Sequence, residues 1–391
     1  MTAAGRGIAL AGLLLSGCVG PGAKGPCSGI VSEYIPGFSV TGLSLASNGR
    51  GYLSAVVDFG DCSGYTEGRV FAIDALARTA EPVPVDFWPG KSSMSPDGMS
   101  GVLMGYKAWY GPDGVHAQGA VFLQGADAGL LPFEATPSVE IDSTVYDIQP
   151  ADGGWVASAR DAGAFHVSYD GTFVQLAPGA GLEAVCGAQS LDRYLLCSEW
   201  GGSEVQVVST TSGQLVSTLM FDGPVENVSA RGAVAVVLHG SSISLVQEGA
   251  VEEAFVLDPG DLAWHAQIWG DYLFVGGIAS ARLIRLSTKS VDELGTFSDV
   301  ALVGGQAVIA FEGERILEVV DLSVIEGALV DAPVGTGRIS RVEAMANAKV
   351  LVASSYSYNS LDEHEEVPVF TEFDPATGEW GPAWSVSLEL P

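Results

Sequence analysis

The chain has 391 residues, of which 47 are Asp or Glu and 17 are Lys or Arg, for a formal net charge of −30. A surface of that sign repels phosphate backbones and anionic lipid headgroups, which excludes nucleic acid and the bare membrane surface as partners. The same charge keeps an exported domain soluble, and it leaves room for a cationic partner or a divalent ion.

From the N-terminus, Arg6 precedes the apolar run Ile8-Ala9-Leu10-Ala11-Gly12-Leu13-Leu14-Leu15. That run is too short to span a bilayer as a helix but suits the core of a secretory signal, so residues 1–17 read as a signal peptide. It ends in Leu15-Ser16-Gly17-Cys18, which resembles the bacterial lipobox. The resemblance implies diacylglyceryl transfer to the Cys18 thiol, cleavage before Cys18, and acylation of the new amine. An ordinary cleaved signal with an incidental cysteine is the plainer alternative. More than one acyl chain makes such an anchor durable, and no later run approaches the length of a transmembrane helix. Val19 stands where some lipoproteins carry the Asp that retains them at the inner membrane, so the expected location is the envelope, at the outer membrane, with the leaflet left open. Residues 18–37 are Gly- and Pro-rich at their start and read as a tether and leading segment.

Four further cysteines, Cys27, Cys62, Cys186 and Cys197, form an even set in a compartment where disulfides persist. Three pairings are open. Cys186–Cys197 is favoured because both lie on adjoining strand-like runs either side of Asp192-Arg193, and Cys27–Cys62 because it fastens the leading segment to the body. Buried free thiols are the alternative. A zinc site is disfavoured, since no Cys-x-x-Cys occurs and no His lies near any of the four.

From residue 38 onward one phrase recurs: a short apolar run, a turn of residues that tolerate positive φ, and a second apolar run. The turns fall at Gly49, Gly98, Gly153, Arg193, Gly232, Asp271, Gly305 and Ala348, spaced roughly 34 to 55 residues apart. Each is followed by a compact apolar stretch such as Tyr52–Val57, Val234–Val237 or Leu273–Val275, the pattern of a strand buried on both faces. Third strands follow, as at Arg69–Ile73, Ser203–Val208 and Arg282–Leu286, and a weaker fourth closes each unit. Such repetition marks a β-propeller. The chain resembles bacterial β-propellers of the broad repeat superfamily, in which turns like Ser95-Pro96-Asp97-Gly98 are typical. The fold expected for residues 38–391 is therefore an all-β propeller of eight four-stranded blades. Seven blades is the alternative if a terminal unit completes its neighbour, and two packed β-sandwiches is another, weakened by the absence of any linker.

No Gly-x-Ser-x-Gly, phosphate-binding loop, His-Glu-x-x-His or EF-hand pattern occurs. His116, His166, His239, His265 and His364 fall singly in different units, where a structural role is the ordinary one. Trp155, Trp200, Trp264 and Trp269 follow no regular motif of the kind quinone-dependent propellers use. Asn227-Val228-Ser229 matches a glycosylation sequon without further support.

The departures from regularity are three long insertions between second and third strands: Asp58 to Gly68, Tyr106 to Gln118, and Tyr356 to Glu366. Ring closure makes their units neighbours, and connections of one type emerge on one face, so the insertions should meet. They carry Tyr65, Tyr106, Trp109, Tyr110, Tyr356 and Tyr358, together with Asp362, Glu363, Glu365 and Glu366. Loops on a rigid scaffold commonly carry recognition, and exposed aromatics supply contact area at low entropic cost. Asp58, Asp61 and Asp113 are the weak candidates for a metal, calcium being the ion that such carboxylates suit; Glu67 adds to the acidic content. The plainer reading is that these insertions are solvated and merely tolerated. The sequence thus points to a lipid-anchored, non-enzymatic binding or scaffolding protein of the envelope or cell surface, without a cofactor and with a protein or glycan ligand. The alternative is a metal-dependent, lactonase-like hydrolase with its site in the central channel. Oligomeric state is left open.

Overall fold

The computed structural model describes residues 37–58, 66–83, 88–111, 114–124, 145–159, 163–170, 172–177, 186–197, 201–247, 250–256, 263–277, 281–294, 297–311, 314–324, 326–333, 337–357 and 366–387. Every regular element among them is a β-strand, and consecutive strands pair antiparallel in eight groups. The first group is β1 (Gly37–Leu45), β2 (Arg50–Asp58), β3 (Thr66–Asp74) and β4 (Thr79–Val83). The second has three described strands, β5 (Trp88–Met94), β6 (Gly101–Gly111) and β7 (Gly114–Gln124). The third runs from β8 (Val145–Ala151) to β11 (Phe173–Leu176), the fourth from β12 (Cys186–Ser190) to β15 (Leu215–Met220), and the fifth from β16 (Val225–Arg231) to β19 (Ala250–Val256). The sixth runs from β20 (Ala263–Trp269) to β23 (Ser290–Leu294), the seventh from β24 (Phe297–Val303) to β27 (Glu326–Asp331), and the eighth from β28 (Arg338–Ala344) to β31 (Glu379–Ser387).

The core decides the architecture. Buried apolar side chains gather in eight clusters, and each cluster is shared by two groups adjacent in sequence, except one that joins the first group to the eighth. Two packed sandwiches would instead give one core per sandwich. The groups therefore stand in a closed ring, a β-propeller. Second strands show why their sequences are continuously apolar: neighbouring residues alternate between two interfaces. Tyr52 faces the second group and Leu53 the eighth; Leu273 faces the fifth group and Phe274 the seventh. Each buried Leu, Val or Phe contributes roughly 1.5–3 kcal/mol, so the interfaces between groups, more than any single sheet, hold the ring together.

Turns between first and second strands fall where the sequence placed them. Gly49, Gly98, Gly153, Gly232, Gly305 and Ala348 all have positive φ. In the fourth and sixth groups the left-handed residue is Leu191 (φ 48°) and Gly270 (φ 57°), just before the Arg193 and Asp271 positions expected to mark those turns. Gly51 has a different constraint, because a Cβ there would meet the Ser44 carbonyl oxygen.

Candidate functional site

Antiparallel alternation puts all turns between first and second strands on one face of the ring and all links between second and third strands on the other. Three registers define that second face. Gly37, where β1 begins, pairs with Asp58 at the end of β2 and also with Ser357 at the end of β29 (Val350–Ser357). The ends of β2 and β29 thus lie on either side of Gly37. In the second group, the described part of β5 reaches Trp88, opposite Tyr106 on β6. Beyond it, Lys107 to Gly111 pair with Gly114 to Gln118, and among the described residues no third strand joins them. The stretch expected to be a loop is therefore a two-stranded hairpin that continues its sheet by about 17 Å, at roughly 3.4 Å per residue. Pro112-Asp113-Gly114 in the sequence, flanked by β-formers, is the signal for it. Trp109 pairs with His116 and Tyr110 with Val115.

The structure so brings Asp58, Tyr106, Trp109, Tyr110, Tyr356 and Glu366 onto strands at this face of three adjoining groups. Tyr356 is half-buried against the Phe38 cluster, and burial raises its phenol pKa against a hydrogen bond from the Gly337 N–H. Tyr65, Tyr358, Asp61, Asp113, Asp362, Glu363 and Glu365 lie outside the described residues, as do Cys18, Cys27 and Cys62. Cys186 and Cys197 are directly opposite each other on β12 and β13 (Arg193–Cys197), buried and joined as a disulfide with Cα atoms 5.1 Å apart. Two histidines are placed in structural roles. His239 is buried with Nε2 2.8 Å from Ser244 Oγ, and His166 Nε2 lies 3.3 Å from the Asp152 carbonyl oxygen. Trp155 is fully buried and donates its indole N–H to Ser93 Oγ at 3.0 Å, tying the third group to the second.

A feature absent from the sequence reading lies along the innermost strands. Seven of the eight carry a β-bulge near their start, at Thr41, at Gly90-Lys91, and at Tyr146, Glu226, Trp264, Ser298 and Ser340. In six of these a polar residue follows at once: Ser92, Asp147, Asn227, His265, Asp299 and Arg341. A bulge leaves backbone groups outside the ladder, and the next side chain is placed to meet such groups on the neighbouring sheet. Asp299 accepts N–H hydrogen bonds from Val300 and, across to the eighth group, from Val342, both at 3.0 Å. Arg341 donates to the carbonyl of Ser340 at 2.6 Å and, across to the first group, to that of the bulged Thr41 at 2.8 Å. Ser355 Oγ accepts the Val40 N–H at 2.9 Å and lies 2.6 Å from Ser340 Oγ. The Asp299 bonds join the seventh group to the eighth, and those of Arg341 and Ser355 close the ring between the eighth and the first, so that together they form one polar seam.

The same seam holds two perturbed carboxyls. Burial raises the pKa of Asp299, while Arg341 and the two N–H donors pull it back. Glu343, two residues beyond Arg341, is pushed up to about 8 by burial and by the negative charge of Asp299. Glu343 therefore holds its proton at neutral pH. Among the described residues no three His, Cys, Asp or Glu side chains gather into a metal-binding group, so the donor set that a metal-dependent hydrolase requires is not assembled by them. The signal for this seam was a polar residue between a variable residue and an aliphatic one, as in Ser298-Asp299-Val300 and Ser340-Arg341-Val342.

A closed ring of antiparallel sheets with its variation on one face defines the class, a β-propeller. Among solved structures, apo AztD from Citrobacter koseri is similar over 90% of this chain and 95% of that one, with a TM-score of 0.54 at 10% identity. The C-terminal WD40 domain of Sif2 is similar over 82% of this chain and 94% of that one, with a TM-score of 0.52 at 11% identity. At such identity the likeness concerns the fold alone. No protein-family model and no curated protein sequence matches the chain.

Proposed function

We propose that the protein is an eight-bladed, lipid-anchored binding or scaffolding propeller of the bacterial envelope, which holds a protein or glycan ligand on the face bearing the insertions. One observation carries the reading: Gly37 is paired on both sides, to Asp58 and to Ser357, so two insertions flank the junction with the N-terminal segment. The neighbouring β6–β7 hairpin, with Trp109 and Tyr110, extends from the same face. A rigid ring that concentrates its irregular, aromatic-rich segments at one place is the arrangement of a recognition scaffold. The lipobox-like Leu15-Ser16-Gly17-Cys18 supports anchoring, and the acidic surface supports a soluble body held off an anionic membrane.

Two measurements test this. Radiolabelled palmitate fed to expressing cells should label the wild-type chain and not Cys18→Ser; equal labelling removes the anchor. Affinity capture from envelope extracts and a glycan array should lose their specific signal when Trp109, Tyr110 and Tyr358 are together replaced by Ala. Unchanged capture by a folded triple variant removes the binding face.

A further inference from the structure

The outermost strands of a propeller are open edges, and proteins ordinarily blunt such edges with charge or proline. Most of the described outer strands do so. β4 contains Glu81 and Pro82, β19 Glu252 and Glu253, β23 Asp292 and Glu293, β27 Glu326 and Asp331, and β31 Glu379 and Pro382. β11 is uncharged but has four residues, of which Leu176 is buried. β15 differs from them all. Its six residues, Leu215-Val216-Ser217-Thr218-Leu219-Met220, include no charge, no proline and no glycine, and all but Leu219 are exposed. Leu215, Val216 and Met220 are 45%, 52% and 63% accessible. β15 pairs with β14 (Glu204–Ser209) on its inner side, and among the described residues nothing pairs with its outer side. Its one blunting device is the bulge at Val216, between the pairs Val207–Ser217 and Val208–Leu215.

We propose that β15 is the interface of a homodimer, formed when two copies add their β15 strands edge to edge, antiparallel, about a two-fold axis at Thr218, perpendicular to the joined sheets. The strand is complementary to itself in that arrangement. Thr218 lies opposite Thr218 of the second copy, hydroxyl to hydroxyl, Ser217 opposite Leu219, and Val216 opposite Met220. An isologous contact requires this kind of self-match. Charge selects the same place. Two bodies at −30 repel over most of their surfaces, and the acidic outer strands of the other groups would set like charges across the axis. β15 lets backbone donors and acceptors meet without opposing carboxylates. Half of the N–H and C=O groups of an edge strand point away from its sheet, and strand addition satisfies them.

The test is the mass of the full chain in density-matched detergent by sedimentation equilibrium, at tens of micromolar. The expected result is twice the mass of one mature chain for the wild type. Thr218→Lys sets two like charges at the axis on an exposed position and should weaken dimerisation at least tenfold. Met220→Glu, at the strand end, should act in the same direction, which guards against a folding defect in either variant. Leu329→Lys on β27 should leave the mass unchanged. A monomeric wild type overturns the proposal. So does a dimer that survives both β15 substitutions, or one that Leu329→Lys disrupts equally.

Discussion

Replacing Glu343 with Gln should reverse the order of stability of the two chains between acid and alkaline pH. Unfolded, Glu343 gives up its proton near the ordinary value of 4.5; folded, it keeps it to about 8. Between those values unfolding releases a proton, so each increase in pH favours the unfolded chain. The contribution of this group is fully present below pH 4.5 and is lost as pH rises through 8. At about 1.4 kcal/mol per pH unit the whole interval amounts to roughly 4–5 kcal/mol. Glu343 is partly accessible, and water reaching the carboxylate reduces the loss, to about 2–3 kcal/mol. Gln keeps the shape and carries no titrating proton, and every other group in a chain of charge −30 titrates alike in both proteins. Urea unfolding at pH 5, 6.5 and 8.5 should show the variant no more stable than wild type at pH 5 and more stable by about 2–3 kcal/mol at pH 8.5. Parallel loss of stability in the two chains across that range would refute the assignment of a buried, protonated Glu343.

Asp299→Ala removes the acceptor for the Val342 N–H and should cost about 1–3 kcal/mol by thermal or urea unfolding. The same change takes away the charge that helps hold the proton on Glu343, so the pH-dependent loss should end at a lower pH and be smaller in total, read from the same titration series. Cys186→Ala with Cys197→Ala opens a loop of sequence separation 11 and should lower stability by about 2–3 kcal/mol in calorimetry. Leu191→Gly relieves an exposed left-handed leucine and should raise stability by about 1 kcal/mol, whereas Gly51→Ala, with its Cβ against the Ser44 carbonyl, should lower expression and melting temperature together.

The scaffold was legible because its requirements are local. A first-to-second-strand turn needs a residue that accepts positive φ, so Gly49, Gly98 and Gly232 announce themselves, and Val236 and Val237 read as continuously apolar because one faces each neighbouring group. Asp192-Arg193 and Asp271 located their turns to within a residue or two, since Leu191 and Gly270 carry the left-handed conformation. The β6–β7 hairpin was missed as a strand pair because its length exceeds that of its counterparts, although its turn residues were present. The bulges were not legible at all. The bulged residues range from Ser298 and Ser340 to Glu226, Tyr146 and Trp264, with no one chemistry common to all, and a bulge is fixed by how two strands pair. Asp299 likewise has its partner 43 residues away on the next group, and Arg341 has one 300 residues away, a contact that only a closed ring supplies.

The double pairing of Gly37 also has a mechanical meaning. Any pull on the N-terminal segment is delivered at the first residue of β1 and along the axis of that strand, with β2 on one flank and β29 on the other. Hydrogen bonds on both sides then carry the load together in shear, where peeling an outer strand would break them one at a time. A body pulled at this point should resist force along β1 better than force applied to an outer strand.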